Sequence, residues 1–266
     1  MTSVNLFGKV LLVPPPPKKT PFLKRREREF LYLPEVDALI AATHKTRASI
    51  RNQALALLLF CQALQPVELC WLLWRDLNEA ENTLKVARNR TQPTPYQAQV
   101  VVNLQALCPA EINILQQLQE QRTTDWLFAS ERQQRLSERS LHHIIQQAGE
   151  IASLPFPVHP YMLRRTGLYY RAALLLASTS LSLRQCCLLW NWHGTKIPFS
   201  VEEEQEYRAI NSTQESAFLT ALERMKAFTG IKVYENVVDY LLGAFTLFPR
   251  LKKIPHNYWL APSDWG

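Results

Sequence analysis

The stretch 154-LPFPVHPYMLRRTGLYYRA-172 decides which fold we expect the chain to adopt. Its spacing predicts a helix over 160–177, with one histidine, two adjacent arginines and three tyrosines at or after its start. Pro160 fits the first turn of a helix, where a missing backbone N–H costs nothing. Such residues could form a reaction centre or only a basic, aromatic surface, and this segment alone leaves both interpretations open.

The rest of the chain is predicted to be mainly helical, with a small antiparallel β-hairpin, which makes it an α+β protein. Further helices are expected to begin at Pro34, Pro66 and Pro109, and after a cap at Ser137 or Ser140. Others are expected over about 48–63, 182–190, 200–210, 213–228 and 234–247, with Ser200 and Glu203 as a capping box. The strands are 83-TLKVAR-88 and 97-QAQVVVN-103, and 124-TDWLFAS-130 is predicted to be a short strand or a turn.

The composition is that of an ordinary globular protein that favours an anionic partner. Of the 266 residues 47% are hydrophobic and 20% charged, and the formal net charge is +7 at pH 7. A basic balance of this kind favours nucleic acid without proving it. The five cysteines are odd in number and fall in apolar helical patterns, which is typical of a reduced interior and not of a disulfide framework.

Several functional classes are not expected. The cysteines and histidines lack metal-ligand spacing, and seven scattered glycines cannot form a phosphate loop, so we expect no metal and no cofactor. The longest apolar runs are too short for a bilayer, and the first residues lack the pattern of a signal peptide. We therefore expect a cytoplasmic protein without a membrane segment.

Three regions are predicted. Residues 1–29 form a proline-rich basic arm, whose Lys24, Arg25 and Arg26 are either phosphate contacts or part of a solvated tail. Residues 30–210 form the main domain. Residues 211–266 form a helical extension, which either mediates self-association or packs on its own domain.

The quoted stretch resembles the second conserved box of the tyrosine site-specific recombinases, also called phage integrases, in the version found in small fimbrial phase-switch invertases. Residues 51-RNQALALLLFCQALQPVELCWLLWRDLN-78 resemble the first box, and 182-SLRQCCLLWNWHGT-195 resembles the helix that ends in the third. The boxes stand in the order of the family and cover about residues 30–210. The resemblance implies the catalytic-domain fold of that family and double-stranded DNA as partner.

In the family a tyrosine hydroxyl attacks a DNA phosphodiester and remains linked to the 3′ phosphate, while arginines and other donors stabilise the charge on the phosphate. By the resemblance, Arg164 matches the second arginine. Trp192 matches the third-box position, with His193 as the neighbouring alternative. Tyr207 in 204-EQEYRAI-210 is the candidate nucleophile, although it follows Trp192 by 15 residues where the family has about nine.

Three positions depart from the pattern of the family. Gln65 takes the place of the first arginine and Tyr161 that of the histidine. The lysine of the hairpin is missing: Arg88 and Arg90 lie nearby, and Lys85 could serve only in a different strand register. We expect DNA contacts from Arg165, Arg88 and Arg90.

Two functions remain open at this stage. The first is DNA recombination or integration through a phosphotyrosyl intermediate, and the second is DNA binding by an inactive relative that regulates or shapes DNA. The sequence does not decide whether the chain is still an enzyme.

Overall fold

The computed structural model describes residues 28–88, 101–195, 198–231 and 233–248. These residues fall into two compact units, here called the N-terminal unit (residues 28–168) and the C-terminal unit (residues 169–248). The division falls inside a helix, between Leu168 and Tyr169. The predicted domain limits at 29/30 and 210/211 stay predictions, and nearly all of the predicted arm lies outside the described residues.

The N-terminal unit is organised around one buried helix. After its polar first turn this helix, α2, is apolar on every side from Ala54 to Phe60, and these residues are all buried, as expected for a helix in the middle of a core. Helices α1, α4 and α5 pack against it. The helices of the unit are α1 (Leu33–Thr43), α2 (Ser49–Cys61), α3 (Pro66–Cys70), α4 (Pro109–Gln119), α5 (Glu138–Ile151) and the first half of α6 (Pro160–Ala177).

A three-stranded antiparallel sheet lies in the same unit, in the order β1-β2-β3. Its strands are β1 (Leu77–Asn78), β2 (Thr83–Arg88) and β3 (Val101–Ala106). The second strand was predicted over 97–103, but among the described residues it runs from Val101 to Ala106. It ends later than predicted because every residue of β2 pairs with a residue of β3. Residues 97–100 lie outside the described residues. Segment 124–130 forms only isolated bridges and turns, such as Leu73 with Trp126.

The serine caps form where the sequence predicts helix starts. The Ser137 hydroxyl accepts the N–H of Ser140 at 3.0 Å, so Ser137 is the cap of α5 and Ser140 lies in its first turn. The predicted capping box of α8 is confirmed, since Ser200 and Glu203 exchange bonds of 3.2 Å and 2.7 Å. These local bonds fix the helix ends without any contact from distant parts of the chain.

The secondary-structure elements among the described residues of the C-terminal unit are all helices. It contains the second half of α6, α7 (Leu183–Trp190), a π-helical turn (Asn191–Thr195), α8 (Val201–Arg208), α9 (Ser212–Thr229) and α10 (Tyr234–Leu247). Helix α10 packs against α7 and α9 through a buried face. The predicted fold class, mainly helical with a small antiparallel sheet, is confirmed. None of the helices in the described ranges has the combination of length and hydropathy needed to cross a membrane.

Candidate functional site

The first-box turn connects α2 to α3 and positions one carboxylate. Ala63 in this turn adopts a left-handed conformation, with φ of 45°, which turns the chain sharply after α2. Gln65 caps α3, and its backbone N–H donates to Glu68 at 2.7 Å. The carboxylate of Glu68 is therefore held in the interior, and the residue is only 3% exposed.

Arg88 pairs with this buried carboxylate. Its guanidinium donates to Glu68 at 2.8 Å and to the backbone carbonyl of Gln62 at 3.2 Å, and the residue is 0% exposed. Burial lowers the pKa of Arg88 to about 10, with Glu68 acting in the opposite direction. The predicted DNA contact of Arg88 needs a guanidinium at the surface, whereas the alternation of β2 turns Leu84, Val86 and Arg88 inward.

Arg164 reaches the same carboxylate from α6. Its guanidinium donates to the backbone carbonyl of Ala63 and lies 3.7 Å from Glu68, and the residue is 7% exposed. Two guanidiniums thus share one carboxylate. Gln65 adds no charge, but it stands in the turn whose carbonyls hold both arginines.

The exposed residues next to Arg164 are aromatic. Tyr161 is 45% exposed, and its ring lies 6.3 Å from those of His142 and His159. Burial raises the pKa of Tyr161 and lowers that of His142, so the phenol and the neutral imidazole are favoured. His159 lies 2.9 Å from Glu29, in keeping with the structural role that its position suggests. The phenol of Tyr161 can donate a hydrogen bond but carries no charge.

A second group of candidates lies in the C-terminal unit. Trp192 stacks on Tyr207 with ring centroids 5.0 Å apart, and Phe199 completes the stack at 5.9 Å and 5.5 Å from the two rings. Trp192 remains 53% exposed. A concavity of about 870 Å³ is lined by Trp192, His193, Phe199, Glu204, Tyr207 and Arg208.

Glu215 connects the two polar members of this group. It accepts the hydroxyl of Tyr207 at 3.1 Å and lies 2.6 Å from Nε2 of His193. Burial, together with the hydrogen bond and the charge of Glu215, raises the pKa of Tyr207. The phenol is therefore kept protonated, which does not favour it as a nucleophile unless the contact with Glu215 is broken.

The other residues predicted for the site lie on α6, on β2 or outside the described residues. Arg165 is half-buried on α6, and Lys85 is exposed on β2. Arg90, Lys24, Arg25 and Arg26 lie outside the described residues. The position nine residues after Trp192 is Val201, which has no hydroxyl, and Tyr207 is the single tyrosine between 193 and 210.

Sequence reasoning missed the roles of several residues. Glu68, Glu215 and His142 were not singled out, and Arg88 was expected at the surface. The available signal for Arg88 was the alternation of its strand. For Glu215 and His142 no local pattern indicated their partners, because these contacts join separate helices.

Comparison with known proteins establishes the family of the chain. The sequence profile of the phage integrase family matches residues 29–173, more than half of the chain, and the chain belongs to this family. The matched range contains the first- and second-box residues of the N-terminal unit. The resemblance stated from the sequence is thereby confirmed.

Two kinds of relative are similar to the chain. The type 1 fimbriae regulatory protein FimB of Escherichia coli K12 is 26% identical over 152 residues, which cover 53% of this chain and 70% of the relative. The structure of the Tn1549 transposon integrase in complex with transposon right-end DNA matches with a TM-score of 0.53 and 11% identity, covering 80% of this chain and 62% of that one. The structure of the XerH site-specific recombinase bound to its difH substrate matches with a TM-score of 0.50 and 13% identity, covering 80% and 49%. The chain thus spans less than two thirds of either solved structure, and these two likenesses concern the fold.

Proposed function

We propose that this protein binds double-stranded DNA through its phosphates and acts in DNA recombination. The observation that carries the proposal is the pair of arginines, Arg88 and Arg164, on one buried carboxylate, with Arg164 at the second-box position. The similar structure of the Tn1549 transposon integrase is described as a complex with transposon right-end DNA, and the chain itself is basic, with a formal net charge of +7.

Each candidate residue has a role in this proposal. Arg164, whose side chain is 9% exposed, stabilises the phosphate, and Tyr161 donates a hydrogen bond beside it. Trp192 or His193 supplies a further donor, and Tyr207 is the nucleophile that becomes linked to the 3′ phosphate. The hydroxyl of Tyr207 must leave Glu215 for this step, because a carboxylate beside a phosphate is repelled by it.

The missing first arginine is expected to slow the reaction. Gln65 can donate a hydrogen bond but cannot offset the charge of the transition state. The loss of one preorganised donor costs about 2.7 to 4 kcal/mol, which is roughly a factor of 10² to 10³ in rate. Arg88 cannot replace it directly, because its side chain is fully buried against Glu68.

A second function is favoured by one observation. Glu215 accepts a hydrogen bond from the hydroxyl of Tyr207 and also contacts the ring of His193. This arrangement suits a protein that binds DNA without cutting it. Such a protein would act as a regulator or an architectural subunit. The name of FimB describes that relative as a regulatory protein, which fits either function.

Assembly and location belong to the proposal as well. We place the protein in the cytoplasm, where its DNA would lie. Self-association on DNA through residues 211–266 remains a proposal. The apolar faces of α9 and α10 are buried within the C-terminal unit, with Phe218, Val237 and Leu241 at 0% exposure, which supports packing on its own domain instead.

DNA binding is tested by fluorescence anisotropy with a labelled duplex over a range of salt concentrations. The logarithm of the binding constant should fall linearly with the logarithm of the salt concentration. Arg165→Ala should weaken binding and lower the slope by about 1, as expected for one lost phosphate contact. The matched control is Arg47→Ala, which removes the same charge from a side chain that is 85% exposed and should leave the slope nearly unchanged. Undetectable or salt-independent binding would overturn both proposed functions.

A further inference from the structure

Two cysteines that are 47 positions apart in the sequence meet beside the first-box turn. Cys61 is the last residue of α2 and Cys108 is the N-cap of α4. Their sulfur atoms and the carboxylate of Glu111 all lie within 4.8 Å of one another. Cys61 is half-buried, whereas Cys108 is 1% exposed, so that a small solute reaches the pair from the side of Cys61.

The surroundings of Cys108 stabilise its thiolate. Its sulfur accepts hydrogen bonds from the thiol of Cys61, from the side chain of Glu111, and from the backbone N–H groups of Ala110 and Glu111 at the start of α4. Together they lower the pKa of Cys108 to about 6, against the opposing effect of burial. A hydrogen-bonded thiolate at a helix N-terminus is a typical environment of a reactive cysteine.

The other cysteines among the described residues differ. Burial raises the pKa of Cys70 and of Cys187 to about 12, and it raises that of Cys186 still further. These three thiols are therefore protonated at neutral pH and chemically inert. Cys187 is half-buried like Cys61, which makes it a matched internal control for access by solutes.

Glu111 is engaged in a structural role. Its carboxyl group accepts the side-chain amide of Gln62 at 3.0 Å and 2.8 Å, and the backbone N–H of Cys108 at 2.9 Å. Burial raises its pKa well above the usual range. A group with these partners is a poor metal ligand, and the chemistry of the cluster is left to the two sulfur atoms.

We propose that Cys61 and Cys108 form a reversible disulfide when the protein meets a peroxide. The Cys108 thiolate attacks one peroxide oxygen, the O–O bond breaks, a sulfenic acid forms on Cys108, and the leaving hydroxide or alkoxide takes a proton from solvent to become water or alcohol. The Cys61 thiol then attacks the sulfur of Cys108, the S–S bond forms, and the proton of Cys61 joins the leaving hydroxide as water. The two electrons lost by the sulfur pair are those gained by the peroxide, and a dithiol reductant reverses the change.

The position of this disulfide suggests what it would alter. The bond would join the end of α2 to the start of α4. Gln62, whose carbonyl accepts from Arg88, and Ala63, whose carbonyl accepts from Arg164, follow Cys61 directly. Oxidation would therefore change the turn that holds both arginines of the candidate site. The disulfide itself does not depend on the proposed DNA function.

The test is oxidation of the full-length protein with hydrogen peroxide, followed by alkylation with N-ethylmaleimide and peptide mapping. We expect the loss of two hydrogen atoms, a linked peptide that contains Cys61 and Cys108, and recovery of both thiols with dithiothreitol. Cys61 and Cys108 should become resistant to alkylation together, at least about tenfold faster than Cys187 changes, because Cys108 attacks the peroxide as a thiolate whereas Cys187 is protonated. Cys187→Ser should leave the linkage intact, and Cys61→Ser should abolish it.

The wild-type map decides the outcome even if a variant folds poorly. Absence of the linked peptide in the oxidised wild-type protein would overturn the proposal. So would a purified protein that holds one zinc ion on this pair and resists oxidation until the metal is removed. Anisotropy with duplex DNA before and after oxidation then reports whether the turn affects binding, and a lack of DNA binding in both states would count against the proposed function alone.

Discussion

Replacing Glu68 by glutamine should be among the most destabilising single changes in the N-terminal unit. Glu68 lies 2.8 Å from the guanidinium of Arg88 and 3.7 Å from that of Arg164, at 3% exposure. With an effective dielectric constant of about 20, the two attractions are roughly 6 and 4.5 kcal/mol before the cost of desolvation. Glutamine keeps the shape and can still accept the N–H of Gln65, but it removes the negative charge that the two buried guanidiniums share. We expect the free energy of unfolding to fall by about 3 to 5 kcal/mol.

Urea unfolding followed by far-ultraviolet circular dichroism measures this loss. The matched control is Glu150→Gln on the exposed side of α5, where the carboxylate accepts only a partly solvated hydrogen bond from Gln146 and the change should stay within about 0.5 kcal/mol. The double variant of Glu68→Gln with Arg88→Met should be less destabilised than the sum of the two single variants, because it removes a stranded cation. A loss below about 1 kcal/mol for Glu68→Gln would refute the claim that this carboxylate holds the arginines in place.

Three further changes probe other parts of the structure. Gly167→Ala should destabilise the protein by about 3 kcal/mol or more in urea unfolding, because a Cβ there would overlap the backbone carbonyl of Phe60. Gly149→Ala, whose Cβ would meet a side chain at 2.9 Å, should cost clearly less. Equal losses for the two variants would contradict the close approach of α6 to α2. The ultraviolet absorption of the Cys108 thiolate should appear as the pH rises through about 6, and it should be missing in Cys108→Ser. A titration midpoint above about 8 would show that Cys108 is an ordinary thiol. Ser182→Ala should lower the unfolding free energy by about 1 kcal/mol through loss of the α7 cap, and no measurable change would show that this hydroxyl is dispensable.

Local signals were sufficient for most of the secondary structure. Ser200 with Glu203 predicted the start of α8, and the structure contains the reciprocal bonds. The helix predicted over about 48–63 is α2, and its residues Ala54 to Phe60 are all buried. The end of β3 was missed, since strand length is set by the partner strand and not by the local apolar run.

The arrangement of the candidate site could be predicted only in part. The resemblance to recombinases singled out Arg164 and Gln65, but it did not indicate that Arg88 would share the carboxylate of Glu68. The contact between Cys61 and Cys108 was also out of reach, because both were assigned to a reduced interior and nothing local joins the end of α2 to the start of α4. Ion pairs and thiol contacts of this kind depend on how separate elements pack, which a single sequence does not encode locally.

Covalent capture on DNA tests the central claim most directly. The full-length protein is incubated with a nicked suicide duplex, whose cleaved strand loses the short fragment needed for religation, and the products are analysed by intact mass. The account predicts a phosphotyrosyl adduct that maps to Tyr207, forms slowly, and is absent in Tyr207→Phe. DNA binding with no adduct in any condition would contradict the recombination function and leave the DNA-binding regulator as the function of this chain.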